Sequence, residues 1–483
     1  MVELDLTAGT ARINVDGKTV EVLAYNGAYP GPTLELHEGD RLVVRFKNAL
    51  SEPTSLHWHG LHIPADQDDA THLVQPGASR EFAFDIPMGS AGTYWYHPHL
   101  HGSVASQVAR GLFGAIRVKA ADDPLPAAAG DTLAVLSDLR VGANGVAQAG
   151  SNAERANGFE GELVLVNGKR QPALELRPGE TRRLRLLNAS ASRYYRLSAG
   201  SQPMTLVGTD GGLIDKPVSI NDLLLTPGER AEVLVTAPNQ AGASFSLLAL
   251  PYDRGIMAMS PKTEDGQKNP VHGGHVWDAS LDNPTPTPSS TPMNHSNMAT
   301  EHGGIAHGAM TPSPMASSPT GTTANQSALD ASLLTFHVSG EPAPAVAIPP
   351  SLRSIARLEG ATATRELLFS EDHATMDFRI NNLKFDMNRV DLQAKLGTTE
   401  TWSVKNTGHM DHPFHLHGYA FQVLDRNGTP EPYLAWKDTV NVKPNETVRF
   451  NVKYNDFPGL RVFHCHILDH EDLGMMGVFR VDP

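Results

Sequence analysis

Short apolar segments alternate with polar residues along much of the chain. Residues 40–46 read Asp-Arg-Leu-Val-Val-Arg-Phe, and residues 182–187 read Arg-Arg-Leu-Arg-Leu-Leu. Alternation with a period of two is typical of strands that bury one face. Glycine and proline recur between these segments, with 43 Gly and 35 Pro in 483 residues, which favours many turns. The pattern therefore predicts an all-β protein.

Glycine and asparagine recur at fixed intervals, which indicates three copies of one folding unit. In each copy two steps of nine residues precede a step of three, as in Gly39, Asn48, His57 and Gly60; Gly179, Asn188, Leu197 and Gly200; and Gly397, Asn406, His415 and Gly418. A ladder that is kept three times in register argues against chance. A chain of 483 residues also fits two to four domains. We therefore expect three tandem Greek-key β-sandwich domains.

The three domains are expected at residues 1–125, 126–260 and 331–483. Residues 261–330 are rich in Pro, Ser, Thr and Gly and lack a periodic apolar pattern, as in a disordered or loosely ordered linker. This segment contains several thioether and imidazole side chains, namely Met293, His295, Met298, His302, His307, Met310 and Met315. They could hold Cu(I) weakly, or they could be incidental to a solvated linker. Their irregular spacing does not decide between the two.

Charge and composition exclude several classes of partner and structure. The net charge of −14 argues against nucleic acid and anionic membranes as partners. No run of about 18 apolar residues appears, so the sequence predicts no membrane span. The first residues lack the basic and apolar regions of a secretory signal. Because Cys465 is the single cysteine, no internal disulfide can form.

Four His-x-His pairs carry the candidate chemistry. They are His57 and His59, His97 and His99, His415 and His417, and His464 and His466. In a strand, residues i and i+2 face the same side, so each pair offers two imidazoles to one ion. Cys465 lies between the last two histidines and therefore faces the opposite side. One short strand could thus present a thiolate to one metal centre and two imidazoles to another.

A lone thiolate with imidazoles and a thioether is the ligand set of a blue-copper site. His470 and Met475 follow Cys465 by five and ten residues, and His412 lies three residues before His415. Zinc is the alternative, since tetrahedral His/Cys sites are common. However, structural zinc rarely spreads eight further histidines over two distant domains, and zinc could not use the thiolate as an electron path. The sequence therefore favours copper.

The ordered motifs resemble those of multicopper oxidases, in particular bacterial three-domain laccases and copper-resistance or copper-efflux oxidases. The motifs are His57-Trp58-His59-Gly60, Trp95-Tyr96-His97-Pro98-His99, His412-Pro413-Phe414-His415-Leu416-His417-Gly418, and His464-Cys465-His466 with His470 and Met475. All four together are highly specific, whereas one His-x-His alone is not. The resemblance covers the chain except 261–330, and it implies that the three β-sandwiches are cupredoxin-like.

The resemblance also implies four copper ions and a division of their ligands. A type 1 copper would be held by His412, Cys465, His470 and axial Met475; a type 2 copper by His57 and His415; and two type 3 coppers by His59, His97 and His466 and by His99, His417 and His464. The three-copper cluster would lie between domains one and three, as the strand geometry independently indicates. The middle domain has Leu197 and Ala199 at the histidine positions, so we expect it to act as a spacer and packing partner.

Oxygen reduction needs protons, and family position points to Asp68 and Glu471 as the carboxylates that deliver them. Asp66 and Asp69 lie beside Asp68, so this register could be off by a residue, and a surface charge is the alternative for each acid. The cluster at 371–373, Glu-Asp-His, with Met376 nearby, could line a donor site. We expect a solvated turn there instead.

The implied reaction is one-electron oxidation of a donor at the type 1 copper, coupled to reduction of O₂ to two waters. The expected donors are phenols or other aromatic compounds, Cu(I), or both. One alternative is a dedicated Cu(I) or Fe(II) oxidase in copper tolerance, and another is a copper-sequestering protein with little turnover. A nitrite-reductase-like protein is disfavoured by three domains in one chain. The resemblance further implies a periplasmic or secreted protein, and we expect a monomer.

Overall fold

The computed structural model describes residues 1–68, 72–255, 332–373 and 375–483. The strands of six β-sheets contain about half of these residues, and the sheets form three sandwiches in chain order. Each sandwich encloses its own apolar core. The predicted fold class, three tandem cupredoxin-like β-sandwiches, is therefore confirmed. All three sandwiches belong to one compact unit.

The first sandwich consists of two four-stranded sheets. Its strands are β1 Val2–Val15, β2 Lys18–Tyr25, β3 Gly31–His37, β4 Arg41–Asn48, β5 His57–His59, β6 Ser79–Asp85, β7 Gly92–His97 and β8 Gly114–Lys119. One sheet has the order β2-β1-β4-β6 and the other has the order β3-β8-β7-β5. Leu36, Phe46, Trp58 and Phe82 are among the buried side chains between them. The second sheet carries both of this sandwich's His-x-His pairs, on and directly after its strands.

The second sandwich has a seven-stranded and a five-stranded sheet. Its strands are β9 Asp131–Val141, β10 Ala147–Gln148, β11 Leu163–Val166, β12 Ala173–Leu176, β13 Thr181–Asn188, β14 Tyr195–Ser198, β15 Met204–Thr209, β16 Gly212–Ile220, β17 Leu223–Leu225, β18 Arg230–Thr236, β19 Ser244–Leu250 and β20 Ser332–Val338. The larger sheet has the order β10-β9-β13-β18-β15-β16, with β11 also on β9, and the smaller has β12-β20-β19-β14-β17. Leu197 and Ala199, which occupy the histidine positions of the other domains, are buried in this core.

Strand β20 joins the second sandwich rather than the third. It pairs antiparallel with β19 and parallel with β12, although the boundary predicted at 331 assigned it to the third domain. The chain between β19 and β20 therefore connects two neighbouring strands of one sheet, and does not link two domains as expected. The predicted linker at 261–330, with its Met and His residues, lies outside the described residues.

The third sandwich has a six-stranded and a five-stranded sheet. Its strands are β21 Ala363–Asp372, β22 Asp377–Ile380, β23 Leu392–Lys395, β24 Thr399–Asn406, β25 His412–Leu416, β26 Phe421–Arg426, β27 Thr429–Pro430, β28 Thr439–Val442, β29 Thr447–Lys453, β30 Gly459–Cys465 and β31 Met476–Asp482. The sheet orders are β22-β21-β24-β29-β26-β27 and β23-β31-β30-β25-β28. The second sheet carries the remaining two His-x-His pairs.

Helices are few and short in the described part of the chain. They are α1 Val104–Ala109, α2 Asn152–Arg155 and α3 Leu468–Asp472, with 3₁₀ turns at Ala65–Gln67 and Ala127–Ala129. None of these helices has the length and apolar character needed to cross a membrane. Helix α3 directly follows β30 and carries His470 and Glu471.

The ladder of glycine and asparagine marks one equivalent strand in each sandwich. Strands β4, β13 and β24 each begin two residues after the ladder glycine and end at the ladder asparagine. The glycines Gly39, Gly179 and Gly397 have φ of 80°, 72° and 80°, which favours residues without a Cβ. Each asparagine is buried, and its amide bonds two backbone groups of the following loop and one carbonyl of a more distant segment, that of Val74, Leu225 or Val442. That loop leads to β5, β14 or β25, the strand at the histidine position.

Candidate copper centres

Strand pairing brings the four His-x-His pairs face to face. In the first sandwich β5 pairs with β7, and His57 lies opposite His97. In the third sandwich β25 pairs with β30, and His415 lies opposite His464. All eight imidazoles are buried. Four histidines from each of the two outer sandwiches thus line one common site.

The eight imidazoles of this site approach one another across the two sandwiches. The ring of His57 stacks on that of His417 and the ring of His59 on that of His415, both with centroids 3.8 Å apart. The Nε2 atom of His464 lies 3.2 Å from Nε2 of His99 and 3.1 Å from Nε2 of His417. His99, His417 and His464 are the set expected for one type 3 ion, and their donor atoms lie within 4.8 Å of one another.

Four of these rings are held by the protein at one nitrogen and are bare at the other. The held atoms are His57 Nδ1 on Asp68 Oδ1 (2.6 Å), His59 Nε2 on Asp438 Oδ1 (3.0 Å), His97 Nδ1 on the Pro98 carbonyl (2.8 Å) and His415 Nδ1 on the Asp438 carbonyl (2.8 Å). The opposite nitrogens are buried without a hydrogen-bond partner. A metal-binding histidine almost always donates its second ring N–H in this way. The bare nitrogens therefore fit copper.

Burial keeps these histidines in the form that binds metal. Burial, reinforced by the neighbouring imidazoles, lowers the pKa of His97, His99, His417, His464 and His466 well below the usual histidine value. A histidine must be neutral to ligate a metal ion. The rings are therefore available as ligands at neutral pH.

A second donor set lies on the other side of β30. Its donor atoms are the thiol of Cys465 and the Nδ1 atoms of His412 and His470. Nδ1 of His412 lies 3.3 Å from the sulfur and 3.3 Å from Nδ1 of His470, and the third side of this triangle is 4.0 Å. All three side chains are buried. A trigonal set of two histidines and one cysteine is that of blue-copper electron-transfer sites.

Met475 lies beside this set in the same apolar core as Cys465. Its carbonyl accepts a hydrogen bond from the Cys465 N–H at 3.0 Å, and its own N–H donates to the His470 carbonyl at 2.9 Å. Met476 packs in a different cluster with Val462 and Val478. The two adjacent methionines therefore face opposite sides of the chain, as their neighbouring positions predict.

Comparison with known proteins assigns the chain to a family. Sequence models described as multicopper oxidase match residues 7–123, 135–269 and 359–483, which together span most of the chain. The chain belongs to the multicopper oxidase family. It is therefore a copper-binding oxidoreductase that takes electrons from a reducing substrate and uses O₂ as the acceptor.

Individual relatives and solved structures match over nearly the full chain. The multicopper oxidase mco of Staphylococcus epidermidis is 28% identical over 470 residues, which are 95% of this chain and 83% of that protein. The solved multicopper oxidase from Campylobacter jejuni, described as a metallo-oxidase, is 34% identical, with a TM-score of 0.79 over 100% of this chain and 91% of that one. The cell division protein FtsP of Xenorhabdus nematophila is 30% identical over 494 residues, 99% of this chain and 89% of that protein. The names of these relatives describe different functions. The function of this multicopper oxidase is therefore argued from its own donor atoms.

Both predicted acids lie against cluster histidines in this multicopper oxidase. Asp68, rather than its neighbour Asp66, contacts His57, and its second oxygen lies 3.4 Å from Nδ1 of His417. Glu471 places one oxygen 3.1 Å from Nδ1 of His464, and neither of its buried oxygens has a hydrogen-bond partner. Burial, reinforced by Asp472, raises the pKa of Glu471 well above its usual value.

Two further residues of the site were missed by sequence reasoning. Asp438 contacts His59 and His415, and its carboxylate forms a buried ion pair with Arg230 of β18. Asp438 directly precedes β28, which pairs with β25, but no motif spacing marks it. Arg230 comes from the middle sandwich, which therefore does more than separate the other two. It fixes Asp438, whose carboxylate orients His59 and whose backbone carbonyl orients His415.

The expectation of a solvated turn at 371–373 is wrong for Glu371. This side chain is fully buried and accepts hydrogen bonds from Nε2 of His412 at 2.7 Å and from the N–H groups of His409 and Met410 at 2.7 and 2.9 Å. Burial alone would raise the pKa of Glu371, but His412 and His373 lower it overall. A Cβ on Gly408 would lie 2.6 Å from the carboxylate, so this approach requires glycine.

Proposed function

We propose that this multicopper oxidase holds four copper ions and couples one-electron oxidation of a donor at a type 1 site to reduction of O₂ to water at a cluster of three. The observation that carries the proposal is the connection between the two donor sets. Cys465 belongs to one set, and its neighbours His464 and His466 belong to the other. A copper store with little turnover has no need of this covalent link.

The ligand division follows the family motifs. His412, Cys465, His470 and axial Met475 would hold the type 1 ion, His57 and His415 the type 2 ion, and the remaining six histidines the two type 3 ions. When bound, copper supplies one-electron redox chemistry. The convergence of His99, His417 and His464 supports one of the type 3 sets. The bare nitrogen atoms of His57 and His415 support their inclusion in the cluster.

The protein's own groups orient the ligands and hold protons near the cluster. Asp68 and Asp438 fix the ring orientation of His57, His59 and His415 through hydrogen bonds to their outer nitrogens. One oxygen of Glu471 lies 3.1 Å from Nδ1 of His464, and burial raises the pKa of this carboxyl, which favours its protonated form. We propose that Glu471 and Asp68 supply the protons that O₂ reduction consumes.

The surroundings of the type 1 set favour a small donor over an aromatic one. Nε2 of His470 donates to the Ala156 carbonyl at 3.1 Å, and Phe378 stacks on the ring with centroids 4.1 Å apart. Nε2 of His412 is bonded to Glu371. Among the described residues, neither imidazole therefore presents a free edge on which a phenol could lie. A metal-ion donor fits better, as the metallo-oxidase description of the Campylobacter jejuni relative also suggests.

Replacement of Cys465 by serine tests the electron-entry role. The Cys465→Ser variant should lose the blue absorption and donor-dependent O₂ uptake, because serine cannot supply the thiolate. It should keep the copper bound by the eight histidines, which copper analysis and electron paramagnetic resonance would measure. Retained donor oxidation would contradict the assignment. In the unaltered enzyme, blue absorption without donor-dependent O₂ uptake would favour a copper store instead.

We further propose that the enzyme is monomeric and acts in the periplasm or outside the cell. The resemblance to copper-resistance and copper-efflux oxidases supports the location. Light scattering of the purified protein would test the monomer. Cell fractionation of the source organism would test the location, and recovery in the cytoplasmic fraction would contradict it.

A further inference from the structure

A loop of the middle sandwich, between α2 and β11, lies against the type 1 donor set. The Ala156 carbonyl accepts a hydrogen bond from Nε2 of His470 at 3.1 Å. Gly158 approaches Ile467 so closely that a Cβ on this glycine would lie 2.7 Å from Cγ2 of Ile467. The Ile467 N–H in turn donates to the Cys465 sulfur at 3.4 Å. The middle sandwich thus packs directly on the segment that carries two of the proposed type 1 ligands.

This loop holds a buried cation, Arg254, which follows β19. The Arg254 side chain is 2% exposed. Its Nη2 atom donates to the Gly158 carbonyl at 3.2 Å and to Oε1 of Glu160 at 2.9 Å. Its backbone carbonyl accepts the Asp411 N–H at 2.9 Å, and Asp411 directly precedes the proposed ligand His412. Arg254 is therefore fixed between the loop and the start of β25.

The charge of this guanidinium is only partly neutralised. Among the described residues Glu160 is its one carboxylate partner, and Glu160 is 25% exposed and also pairs with Arg193 at 3.0 Å. The Nη1 atom of Arg254 is buried without a hydrogen-bond partner, and the guanidinium lies 5.5 Å from the ring centre of Tyr194. Tyr194 packs in the same apolar core as Cys465. In such a medium a charge acts more strongly on its neighbours than it does in water.

Two of the proposed type 1 ligands lie in the electrostatic field of Arg254. Burial raises the pKa of the Cys465 thiol well above its usual value, and the charge of Arg254 opposes this rise. Burial lowers the pKa of His470 well below its usual value, and His412 and Arg254 lower it further. Arg254 thus disfavours positive charge at both ligands. The same repulsion acts on a metal ion held between them.

We propose that Arg254 raises the reduction potential of the type 1 copper. The inference rests on the proposed oxidase function. Reduction by one electron from the donor lowers the charge of the copper site by one, and a nearby buried cation favours the state of lower charge. A higher potential makes the site a stronger oxidant. Arg254 therefore determines, from the middle sandwich, how weak a reductant the enzyme can oxidise.

Redox titration of the blue band in the copper-loaded enzyme tests the proposal by the sign of two shifts. Arg254→Met should shift the equilibrium about tenfold toward Cu(II), which for one electron is a potential lower by about 59 mV. Arg254→Lys keeps the charge and should retain most of the potential. Glu160→Gln removes the carboxylate that partly neutralises Arg254 and should raise the potential. A merely structural role would shift Arg254→Met and Glu160→Gln in the same direction, and that result would overturn the proposal.

Another arginine of the middle sandwich provides the matched control. Arg140 pairs with Glu154 and Glu162 on either side of the same loop, but it is 24% exposed, so solvent screens its charge. Arg140→Met should leave the potential unchanged. An equal shift in Arg140→Met and Arg254→Met, or an unchanged potential in Arg254→Met, would also overturn the proposal.

Co(II) binding to the copper-free, full-length protein separates this proposal from the proposed function. The absorption band between thiolate and Co(II) reports binding at Cys465. Because Arg254 repels a divalent ion, Arg254→Met should bind Co(II) about tenfold more tightly than the unaltered protein, whereas Arg254→Lys should not. If the unaltered enzyme had no blue band or consumed no O₂, the proposed function would fail. The Co(II) titration would still decide the role of Arg254, since equal affinities in the three proteins would overturn it.

Discussion

At the scale of single residues, the proton held by Glu471 gives the most direct prediction. Glu471→Gln keeps the shape of the side chain beside His464 but removes the exchangeable carboxyl proton. We expect kcat for O₂ uptake to fall by about 10²-fold or more, the usual contribution of a positioned acid or base. Copper content should be unchanged, because Glu471 is not among the proposed ligands. Oxygen-electrode kinetics and copper analysis would measure the two quantities.

A buried glutamate outside the copper centres provides the control for this substitution. Glu400 is buried in the third sandwich, where it pairs with Arg365 and Trp402. Glu400→Gln should lower stability but leave kcat near that of the unaltered enzyme. If the two glutamine variants had the same kcat, Glu471 would have no role in proton delivery.

The two adjacent methionines allow a matched test of the axial ligand. Met475 shares its core with Cys465, whereas Met476 packs on the other side of the chain. Met475→Leu should raise the type 1 reduction potential, because removal of a weak donor destabilises Cu(II) more than Cu(I). Met476→Leu should leave the potential unchanged. Redox titration of the blue band measures both, and equal potentials in the two variants would exclude Met475 as the axial ligand.

The copper-binding side chains could be identified from sequence because their spacing follows backbone geometry. Residues i and i+2 of a strand share a face, so His464 and His466 must face away from Cys465. Asp438, Arg230 and Glu371 have no such signal, since each reaches its histidine through strand pairing or packing between distant segments. Glu371 also depends on Gly408, whose missing side chain leaves room for the carboxylate.

At the scale of elements, the ladder of glycine and asparagine predicts the three repeated units correctly, because the backbone requires these residues at these positions. Gly39, Gly179 and Gly397 turn the chain with positive φ. The asparagine nine residues later makes two backbone hydrogen bonds within the next loop and one to a distant segment, which fixes that loop in place. The boundary predicted at 331 places strand β20 in the wrong domain, because no local backbone requirement determines which strands it pairs with. Its alternating pattern predicts a strand but does not specify the edge on which it pairs, and β12 and β19 lie far from it in sequence.

Strand β18 of the middle sandwich supports the cluster through Arg230, which gives a prediction for that element. Arg230→Lys keeps the charge but loses the paired contacts of the guanidinium with Asp438. We expect the free energy of unfolding to fall by about 1–3 kcal/mol, since buried carboxylate oxygen atoms lose their partners. A weak chelator should also remove cluster copper faster while the blue band persists.

The same substitution at a partly exposed ion pair is the control for Arg230. Arg365 bonds Glu400 through two of its nitrogen atoms and is 28% exposed, so water can replace the lost contact in Arg365→Lys. Chemical unfolding and timed copper analysis would compare the two variants. Equal rates of copper loss would show that the middle sandwich does not support the cluster.

At the scale of the whole molecule, the histidine site is also a contact between the first and third sandwiches. Each contributes four of the eight imidazoles, and rings from the two sandwiches stack at His57 with His417 and at His59 with His415. Copper in this site would therefore join the two ends of the chain. The type 1 set, by contrast, lies within the third sandwich.

This difference predicts how copper removal affects stability. At about 1,000 times its dissociation constant, a ligand stabilises the folded state by about 4 kcal/mol, so the copper-free protein should unfold at a lower temperature than the holoenzyme. Cys465→Ser, which should lack only the type 1 ion, should remain closer to the holoenzyme. Scanning calorimetry of the three proteins measures this order. If Cys465→Ser unfolded at the same temperature as the copper-free protein, the copper cluster would not stabilise the contact between the first and third sandwiches.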